Sequence, residues 1–451
     1  MTKSRIILTT LLTAGIVLPL AACAPGSGTP AASSSSGPVV TDYSKIKATT
    51  ITELDTFSDA KSALSIYMEK VNAAFMKKYP KITVKRQTVA GDLTSTLKLK
   101  ISDPSGPDIV PANQGWAGVG ALSAAGLLLN LDPYAKAYGW DKRFPHSLIQ
   151  QHMATTDGKS FGSGSVFGVP VNQGAFVTVF YNRALMSQLG LQVPKSYQDF
   201  EDSMATAKAK GVVPMEMGLQ DQAATASLLA LNDALGDAGS IRDLVYGLND
   251  TTVEQTGMTK AAKAFQGWAD KGYFPSGYQG TTIADAATNF VKGTGLYFIY
   301  YTGYLPGSLD DVNKFGTFIM PNTAGTAAPV TGSSAQNFSV ASNSKSKDAS
   351  ALYLDFISAE ENGQISIDVD NSPIIGQWPA DTDSPMLNDT LAVLNQADKT
   401  DGYLPYFDWS TPTMLTTMAS NQSLLAADKM TPADYTKALQ ADYEKFRDSK
   451  K

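Results

Sequence analysis

Apolar and polar residues follow two kinds of spacing along the chain, one typical of strands and one typical of helices. Residues 50–54 alternate like a half-buried strand, whereas residues 60–79 carry apolar side chains every four positions, at Ala63, Tyr67 and Val71. The same criteria predict strands at residues 82–84, 108–110 and 177–180, helices at 93–101, 116–125, 197–210, 223–238, 349–357 and 432–447, and strand-containing segments at 289–304 and 315–320. This alternation predicts an α/β layer structure.

The first residues have the layout of a cleavable export signal. Lys3 and Arg5 precede an apolar run at residues 6–20, and small residues and a cysteine follow it. The run is shorter than the ~20 residues that a bilayer-spanning helix needs, and Pro19 interrupts its end. We therefore expect residues 1–22 to be a signal peptide and not a membrane span.

The sequence Leu20-Ala21-Ala22-Cys23 resembles the bacterial lipobox, which implies lipidation of Cys23 and cleavage just before it. Cys23 is the only cysteine in the chain, so a disulfide within one molecule is excluded, and so is a site of several thiolates. Residues 24–41 are rich in Ser, Gly, Pro and Ala, a composition that cannot bury enough apolar surface to order itself. We expect residues 23–42 to be a disordered tether.

Length and charge narrow the class of protein. Without the signal peptide, about 430 of the 451 residues remain, which suits two lobes better than one core. The chain is 43% hydrophobic and 17% charged, as in globular proteins, and its net charge of −6 disfavours nucleic acid as a partner.

An ordered set of short motifs spans residues 50–445. Its members are Phe75-x-x-x-Tyr79-Pro80-x-Ile82-x-Val84, Gly106-Pro107-Asp108-Ile109-Val110, Gly126-Leu127-Leu128-x-x-Leu131-Asp132, Phe167-Gly168-Val169-Pro170, Phe180-Tyr181-Asn182-Arg183, Gly211-Val212-Val213-Pro214, Phe290-x-x-Gly293, Gly316-x-Phe318-x-x-Pro321 and Ser344-Lys345-Ser346-Lys347-Asp348-Ala349. The set resembles the extracellular solute-binding proteins of carbohydrate ABC importers, the family that includes the maltose-binding proteins.

The resemblance implies a two-lobed α/β fold like that of periplasmic binding proteins, with a ligand cleft between lobes joined by crossing hinge segments. It places residues 43–174 and 303–342 in the first lobe, and residues 175–302 and 343–451 in the second. The crossings are expected near residues 172–178, 298–304 and 341–343.

A cleft for neutral sugars needs flat apolar faces for pyranose rings and hydrogen-bonding groups for the hydroxyls. Four clusters combine aromatic side chains with amides, hydroxyls or carboxylates where the family's strand ends meet the cleft, at residues 57–59, 113–116, 300–304 and 406–409. From these clusters and two secondary segments we predict the ligand-binding residues Phe57, Asp59, Asn113, Trp116, Asn172, Tyr301, Tyr304, Trp378, Tyr406, Asp408 and Trp409.

Each of these rings has a competing interpretation as core packing. Trp116 could begin a helix that packs on the sheet, and Trp409 could cap the core beneath a helix that begins near Pro412. Trp140 and Trp268 lie in helical patterns and are predicted to be core residues.

The sequence does not match two enzyme motifs that it partly resembles. His146 and His152 are six positions apart and lack the i,i+4 spacing of a helical zinc site. Gly158-Lys159-Ser160 mimics a phosphate-binding loop, but Ala154 and its neighbours supply no glycine where one is required. We expect no catalysis, no cofactor and no metal.

Two alternatives stay open: a lipoprotein that binds peptides or amino acids and, less favoured, a glycoside hydrolase, which needs only two suitably spaced carboxylates. The favoured expectation is a monomer that captures a carbohydrate, an oligosaccharide in preference to a monosaccharide, and delivers it to importer permease subunits. We expect it on the extracellular face of the cell membrane, attached through its lipid alone.

Overall fold

The computed structural model describes residues 38–90, 93–306, 309–325, 328–370 and 382–450. The predicted signal peptide, Cys23 and Trp378 lie outside these ranges, as does most of the predicted tether.

The strands are of very unequal length, and two long ones dominate. They are β1 (Thr49–Asp55), β2 (Ile82–Thr88), β3 (Ile109–Pro111), β4 (Met153–Ala154), β5 (Ser165–Val166), β6 (Val169–Asn182), β7 (Met215–Glu216), β8 (Tyr297–Tyr301), β9 (Phe315–Phe318), β10 (Val330–Val340) and β11 (Tyr403–Leu404).

Most strands belong to one mixed sheet in the order β2-β1-β3-β10-β6-β8-β7, with β11 paired to β10 and β9 paired to β6. The first half of β6 pairs with β10 in antiparallel register, Phe176 opposite Gly332 and Val169 opposite Phe338. The second half of β6 pairs with β8 and β9, while the far end of β10 pairs with β3. Strand β6 therefore connects the two ends of the molecule, and β10 joins its first half to β3.

Helices cover the sheet. They are α1 (Ala63–Lys78), α2 (Thr94–Ser102), α3 (Ala121–Ala124), α4 (Asp132–Tyr138), α5 (Trp140–Arg143), α6 (His146–Ile149), α7 (Arg183–Leu189), α8 (Tyr197–Ala209), α9 (Ala226–Leu235), α10 (Ala238–Tyr246), α11 (Met258–Asp270), α12 (Ile283–Val291), α13 (Leu309–Val312), α14 (Lys347–Ile357), α15 (Gly363–Asp370), α16 (Pro385–Thr400), α17 (Met414–Ala426) and α18 (Pro432–Asp448). The predicted α/β class is confirmed.

Local sequence explains where several helices begin. Ser196 and Asp199 form a reciprocal capping box at the start of α8, in which each side chain accepts from the other residue's backbone N–H. Thr431 caps α18 in the same position, and Pro432 occupies the first turn, where its missing N–H costs nothing.

Two large hydrophobic cores lie on either side of the middle of β6. The first contains Phe75 and Trp140 and includes β6 as far as Phe176. The second contains Trp268 and includes β6 from Val177 onward. Trp140 and Trp268 are both 0% exposed, which confirms their prediction as core residues.

Two segments pack differently from the predicted lobes. Helix α14 packs on α1 in the first core, although the sequence places residues 343–451 in the second lobe. Strand β9 pairs with residues 179–182 of β6 near the second core, although residues 303–342 are predicted for the first lobe. Both differences arise from contacts between distant segments, which local patterns do not encode. The exact lobe boundaries stay a prediction.

Within the described ranges, no helix has the length and hydropathy needed to cross a lipid bilayer.

The fold buries an ionisable group on its edge strand β7. Glu216 is 1% exposed, and its Oε2 has no hydrogen-bond partner among the described residues. Burial raises the pKa of this carboxyl to about 7, against a hydrogen bond from the Met217 backbone that lowers it. Because the folded-state pKa is raised, the stability that the protonated group confers is present at acid pH and is lost as the pH rises toward and through 7.

Glu216→Gln should therefore stabilise the protein in a pH-dependent way. We expect the free energy of unfolding to rise by roughly 1–2 kcal/mol near pH 8 and to change little near pH 4, where the carboxyl is protonated in the folded state and mostly protonated in the unfolded state. Urea denaturation at both pH values measures the effect, with the exposed Glu360→Gln as the control. An equal effect at the two pH values, or destabilisation near pH 8, would contradict the burial argument.

Candidate ligand-binding cleft

The carboxyl ends of four strands converge on one region of the molecule. Thr56 follows β1, residues 113–118 follow β3, Tyr300 and Tyr301 end β8, and residues 406–415 follow β11. Crevices outside the carboxyl ends of strands are the usual ligand sites of open α/β sheets. The topology therefore creates a candidate cleft above the middle of β6 and β10.

Two adjoining cavities make up this cleft. The first has a volume of about 550 Å³ and the second about 380 Å³, each within the range of small-molecule sites. They share Asn113, Gln114, Asp408, Trp409 and Leu415. The first cavity is also lined by Thr56, Leu93, Leu97, Lys98, Pro111, Gly115, Trp116, Ala117, Gly118, Leu122, Thr411 and Pro412, and the second by Ala175, Gln222, Ala223, Tyr300, Tyr301, Tyr304, Ser334 and Tyr406.

Glycines shape the turn that carries Asn113. A Cβ on Gly118 would lie 1.8 Å from the Asn113 carbonyl oxygen, which accepts a 2.7 Å hydrogen bond from the Val119 N–H. Gly115 has φ +87° and lies against the Trp409 side chain, where a Cβ would come within 3.0 Å. The turn continues into one turn of π-helix at Trp116–Gly120 and then into α3, where the sequence predicts one regular helix.

Amides fix the floor of the cleft. The Gln114 side chain donates from Nε2 to Ser333 Oγ on β10 at 2.7 Å, and the Asn113 side chain accepts from the Gln114 backbone N–H at 3.0 Å. Asn113 is nevertheless exposed to the cavity. It can therefore offer its remaining hydrogen-bonding capacity to a ligand.

A row of aromatic rings lines the second cavity. Ring centroids are 5.0 Å apart for Tyr300 and Tyr301, 6.0 Å for Tyr301 and Tyr406, and 4.9 Å for Tyr406 and Trp409. The Tyr406 hydroxyl donates to the Ala175 carbonyl of β6 at 2.5 Å, which holds this ring in place. Tyr304 stands at the rim with 45% of its surface exposed.

Asp408 lies among these rings and faces both cavities. Among the described residues no side chain donates a hydrogen bond to its carboxylate, and burial raises its pKa to about 6. Burial also holds the pKa of the Tyr301 and Tyr406 hydroxyls above their usual value, so both are neutral at physiological pH.

The two tryptophans of the site have different environments. Trp409 is half-buried and contacts both cavities. Trp116 is 4% exposed, donates from Nε1 to the Val245 carbonyl at 3.0 Å, and packs against Phe161 and Phe446. Trp116 therefore has mainly a packing role. It packs against these two rings, whereas the sequence suggests that it packs on the sheet.

Members of three of the four predicted clusters meet at the cleft: Asn113 and Trp116, Tyr301 and Tyr304, and Tyr406, Asp408 and Trp409. The fourth cluster does not reach it. Phe57 packs against the first core and the exposed Asp59 accepts from the Lys61 backbone, so neither lines a cavity, and Thr56 does so instead. The side chain of Asn172, like the whole of Trp378, lies outside what the structure describes.

Several lining residues were not among the predicted ones. Gln114 and Tyr300 lie in the predicted clusters, next to the predicted residues Asn113 and Tyr301. Gln222 and Leu415 come from segments that carry no local signal, and only the tertiary fold brings them to the cleft.

The cleft lacks the groups of the enzyme classes considered above, as far as the described residues go. A glycosidase needs two carboxyl groups, yet Asp408 carries the one carboxyl among the described lining residues. His152 is buried elsewhere against Asn337, and burial lowers its pKa to about 3. In the described part of the chain no three His, Cys, Asp or Glu side chains form a group that could hold a metal ion.

Comparison with known proteins gives a consistent result. Two curated relatives are a "Probable sugar-binding periplasmic protein" of Mesorhizobium japonicum, 34% identical over 99 residues, and a "Multiple sugar-binding protein" of Streptococcus mutans, 22% identical over 330 residues. The first match covers 22% of this chain and 22% of that relative, and the second covers 70% and 74%.

A solved structure shows the same fold. The family 1 extracellular solute-binding protein of Bifidobacterium longum subsp. infantis superposes with a TM-score of 0.69 at 19% identity, covering 88% of this chain and 100% of that one. The two-lobed architecture is thereby confirmed. Residues 58–364 match the family described as bacterial extracellular solute-binding protein. The chain belongs to this family of extracellular solute-binding receptors.

Proposed function

We propose that the protein captures a carbohydrate outside the cell and delivers it to the permease subunits of an ABC importer. The observation that carries this proposal is the cleft lined by Tyr300, Tyr301, Tyr406 and Trp409 beside the amide of Asn113. Aromatic faces suit the C–H sides of pyranose rings, and amides suit their hydroxyls. The names of the two curated relatives point to the same class of ligand.

The cleft also favours a ligand of more than one sugar ring. Its two cavities adjoin along Asn113, Asp408 and Trp409, so a ligand seated on Trp409 can extend into both. Ligand release and capture then follow from opening and closing of the two lobes, because contacts to both lobes are made only in the closed state.

We further propose that the protein acts as a monomer on the outer face of the cell membrane, anchored through a lipid on Cys23. The segment Leu20-Ala21-Ala22-Cys23 supports this anchor. Residues 23–37 would serve as the tether, because Val39 and Val40, which the sequence places in the tether, pack against the first core. A flexible chain of this length spans about 20 Å, enough to hold the lobes clear of the lipid head groups.

Trp409→Ala should weaken sugar binding if its ring stacks on a sugar. We expect a loss of about 1–3 kcal/mol, or about 5- to 150-fold in affinity, with a modest change in the melting temperature. Calorimetry with a glycan panel and thermal unfolding of the unliganded protein measure the two quantities on the same variant. Unchanged affinity together with a large fall in melting temperature would assign Trp409 to packing.

Trp116→Ala is the matched comparison, because Trp116 is a buried ring at the edge of the same cleft. Its removal should reduce the free energy of unfolding by about 3–5 kcal/mol. Of the two variants, Trp409→Ala should therefore lose more ligand affinity and Trp116→Ala more stability.

Cys23→Ser should release the protein from membranes without changing its ligand affinity. Lipoprotein anchors of two or more acyl chains hold firmly, so the loss should be nearly complete. Fractionation followed by immunoblotting measures it. Adding Ser35→Cys to this variant controls for the thiol itself, because a cysteine there lacks the preceding lipobox and should not restore anchoring. Membrane retention of Cys23→Ser would refute the anchor.

A further inference from the structure

The second cavity is a negatively charged compartment with aromatic walls. Asp408 is the one charged side chain among the described residues that line it. Lys98, the cationic residue described in the cleft, lines the first cavity and not the second. Outside the lining, the Asp221 carboxylate lies close enough to Tyr300 to raise the pKa of its hydroxyl, in addition to the effect of burial.

Other shielded aspartates of this protein have partners within the fold. Asp55 pairs with Arg86 at 2.6 Å, Asp355 with Arg143 at 2.7 Å, and Asp389 with Arg183 at 2.6 Å. Asp233 has no such cation but accepts two hydrogen bonds from Thr331, from its N–H and its hydroxyl.

Asp408 differs from all of these. Its carboxylate interacts with its own backbone N–H, but no described side chain donates to it, and it opens onto both cavities. A shielded carboxylate without a counter-charge is unfavourable unless a ligand supplies one. A ligand can therefore supply the positive charge that the Asp408 carboxylate does not receive from the side chains around it.

The rings around Asp408 suit a cation as well as a sugar face. Aromatic faces carry partial negative charge and attract ammonium groups within about 6 Å. A continuous series of ring contacts joins Tyr301, Tyr406 and Trp409. The ring centroid of Tyr304 lies 6.3 Å from the centroids of Tyr300 and Tyr301. A hydroxyl could donate to Asp408, but an ammonium group gains from the carboxylate and the rings together.

We propose that the second cavity receives an amino sugar, with its protonated amine beside the Asp408 carboxylate and facing the tyrosine rings. This inference rests on the proposed function and narrows its ligand to carbohydrates that carry a free ammonium group. The neighbouring first cavity takes the remaining, uncharged part of the ligand.

Matched sugar pairs test the inference, because each pair differs only at C2. We would titrate the full chain with glucose and glucosamine, galactose and galactosamine, and cellotriose and the β-1,4-linked glucosamine trimer, by calorimetry at neutral pH and low salt. In the pair that binds most tightly, the amino form should bind at least about tenfold more tightly than the hydroxyl form. Added salt should reduce this preference, since it depends on charge.

Variants assign the preference to one group. Asp408→Asn keeps the shape of the side chain but removes its charge, and it should reduce the preference to within about twofold. Asp270→Asn removes the same charge from an exposed position on α11 outside the cleft and should leave the preference intact. Thermal unfolding of each variant verifies that it is folded.

The outcomes separate this inference from the proposed function. Equal or tighter binding of the hydroxyl forms would overturn the amino-sugar inference and leave carbohydrate capture standing. A preference for amines that persists in Asp408→Asn would also overturn it. Failure of every neutral and amino sugar in the panel to bind would overturn both.

Discussion

The antiparallel pairing of β6 with β10 is the constraint on which the rest of the structure depends. Strand β6 passes from the first core to the second between Phe176 and Val177, and β10 joins the first half of β6 to β3 and β11 in the first core. The buried Asp233 carboxylate of α9 fixes the start of β10 by accepting from the Thr331 N–H and hydroxyl. The ladder and these hydrogen bonds thus link the two cores and leave a cleft above the middle of β6 and β10.

The chemistry of the cleft follows from that geometry. Strands β1, β3, β8 and β11 all end beside the ladder, so the residues just after them form the walls. These residues are rings, amides and one carboxylate, and the turn that carries Asn113 is tight enough to require Gly118. In the proposed function, the aromatic walls bind sugar faces, whereas Asp408 requires a hydrogen-bond donor or a cation from the ligand. The proposed class of ligand therefore rests on the rings, and the proposed selectivity for amino sugars rests on one charge.

Local patterns predicted most of the elements, because periodicity reports which face of an element is buried. The strand at residues 50–54 and the helices at 197–210 and 432–447 appear as β1, α8 and α18, each within a few residues. The clusters containing Asn113, Tyr301 and Trp409 were found because rings and polar groups are adjacent in sequence there. The prediction of Phe57 as a cleft residue is wrong, because an aromatic residue next to polar residues gives the same sequence pattern whether its ring faces a cleft or a core. Gln222 and Leu415, and the packing of α14 on α1, depend on contacts between distant segments and leave no local trace.

Hydrogen–deuterium exchange with and without a bound carbohydrate tests the central claim most directly, since the claim is that one ligand contacts walls from separate parts of the chain at once. The sugar that binds most tightly in the panel would be added at saturation, and backbone amide exchange would be followed by mass spectrometry. The account predicts simultaneous protection of residues 113–118, 300–304 and 406–412, with little change in α1 or α8. Protection confined to one of the three segments, or centred on a surface away from the cleft, would contradict it.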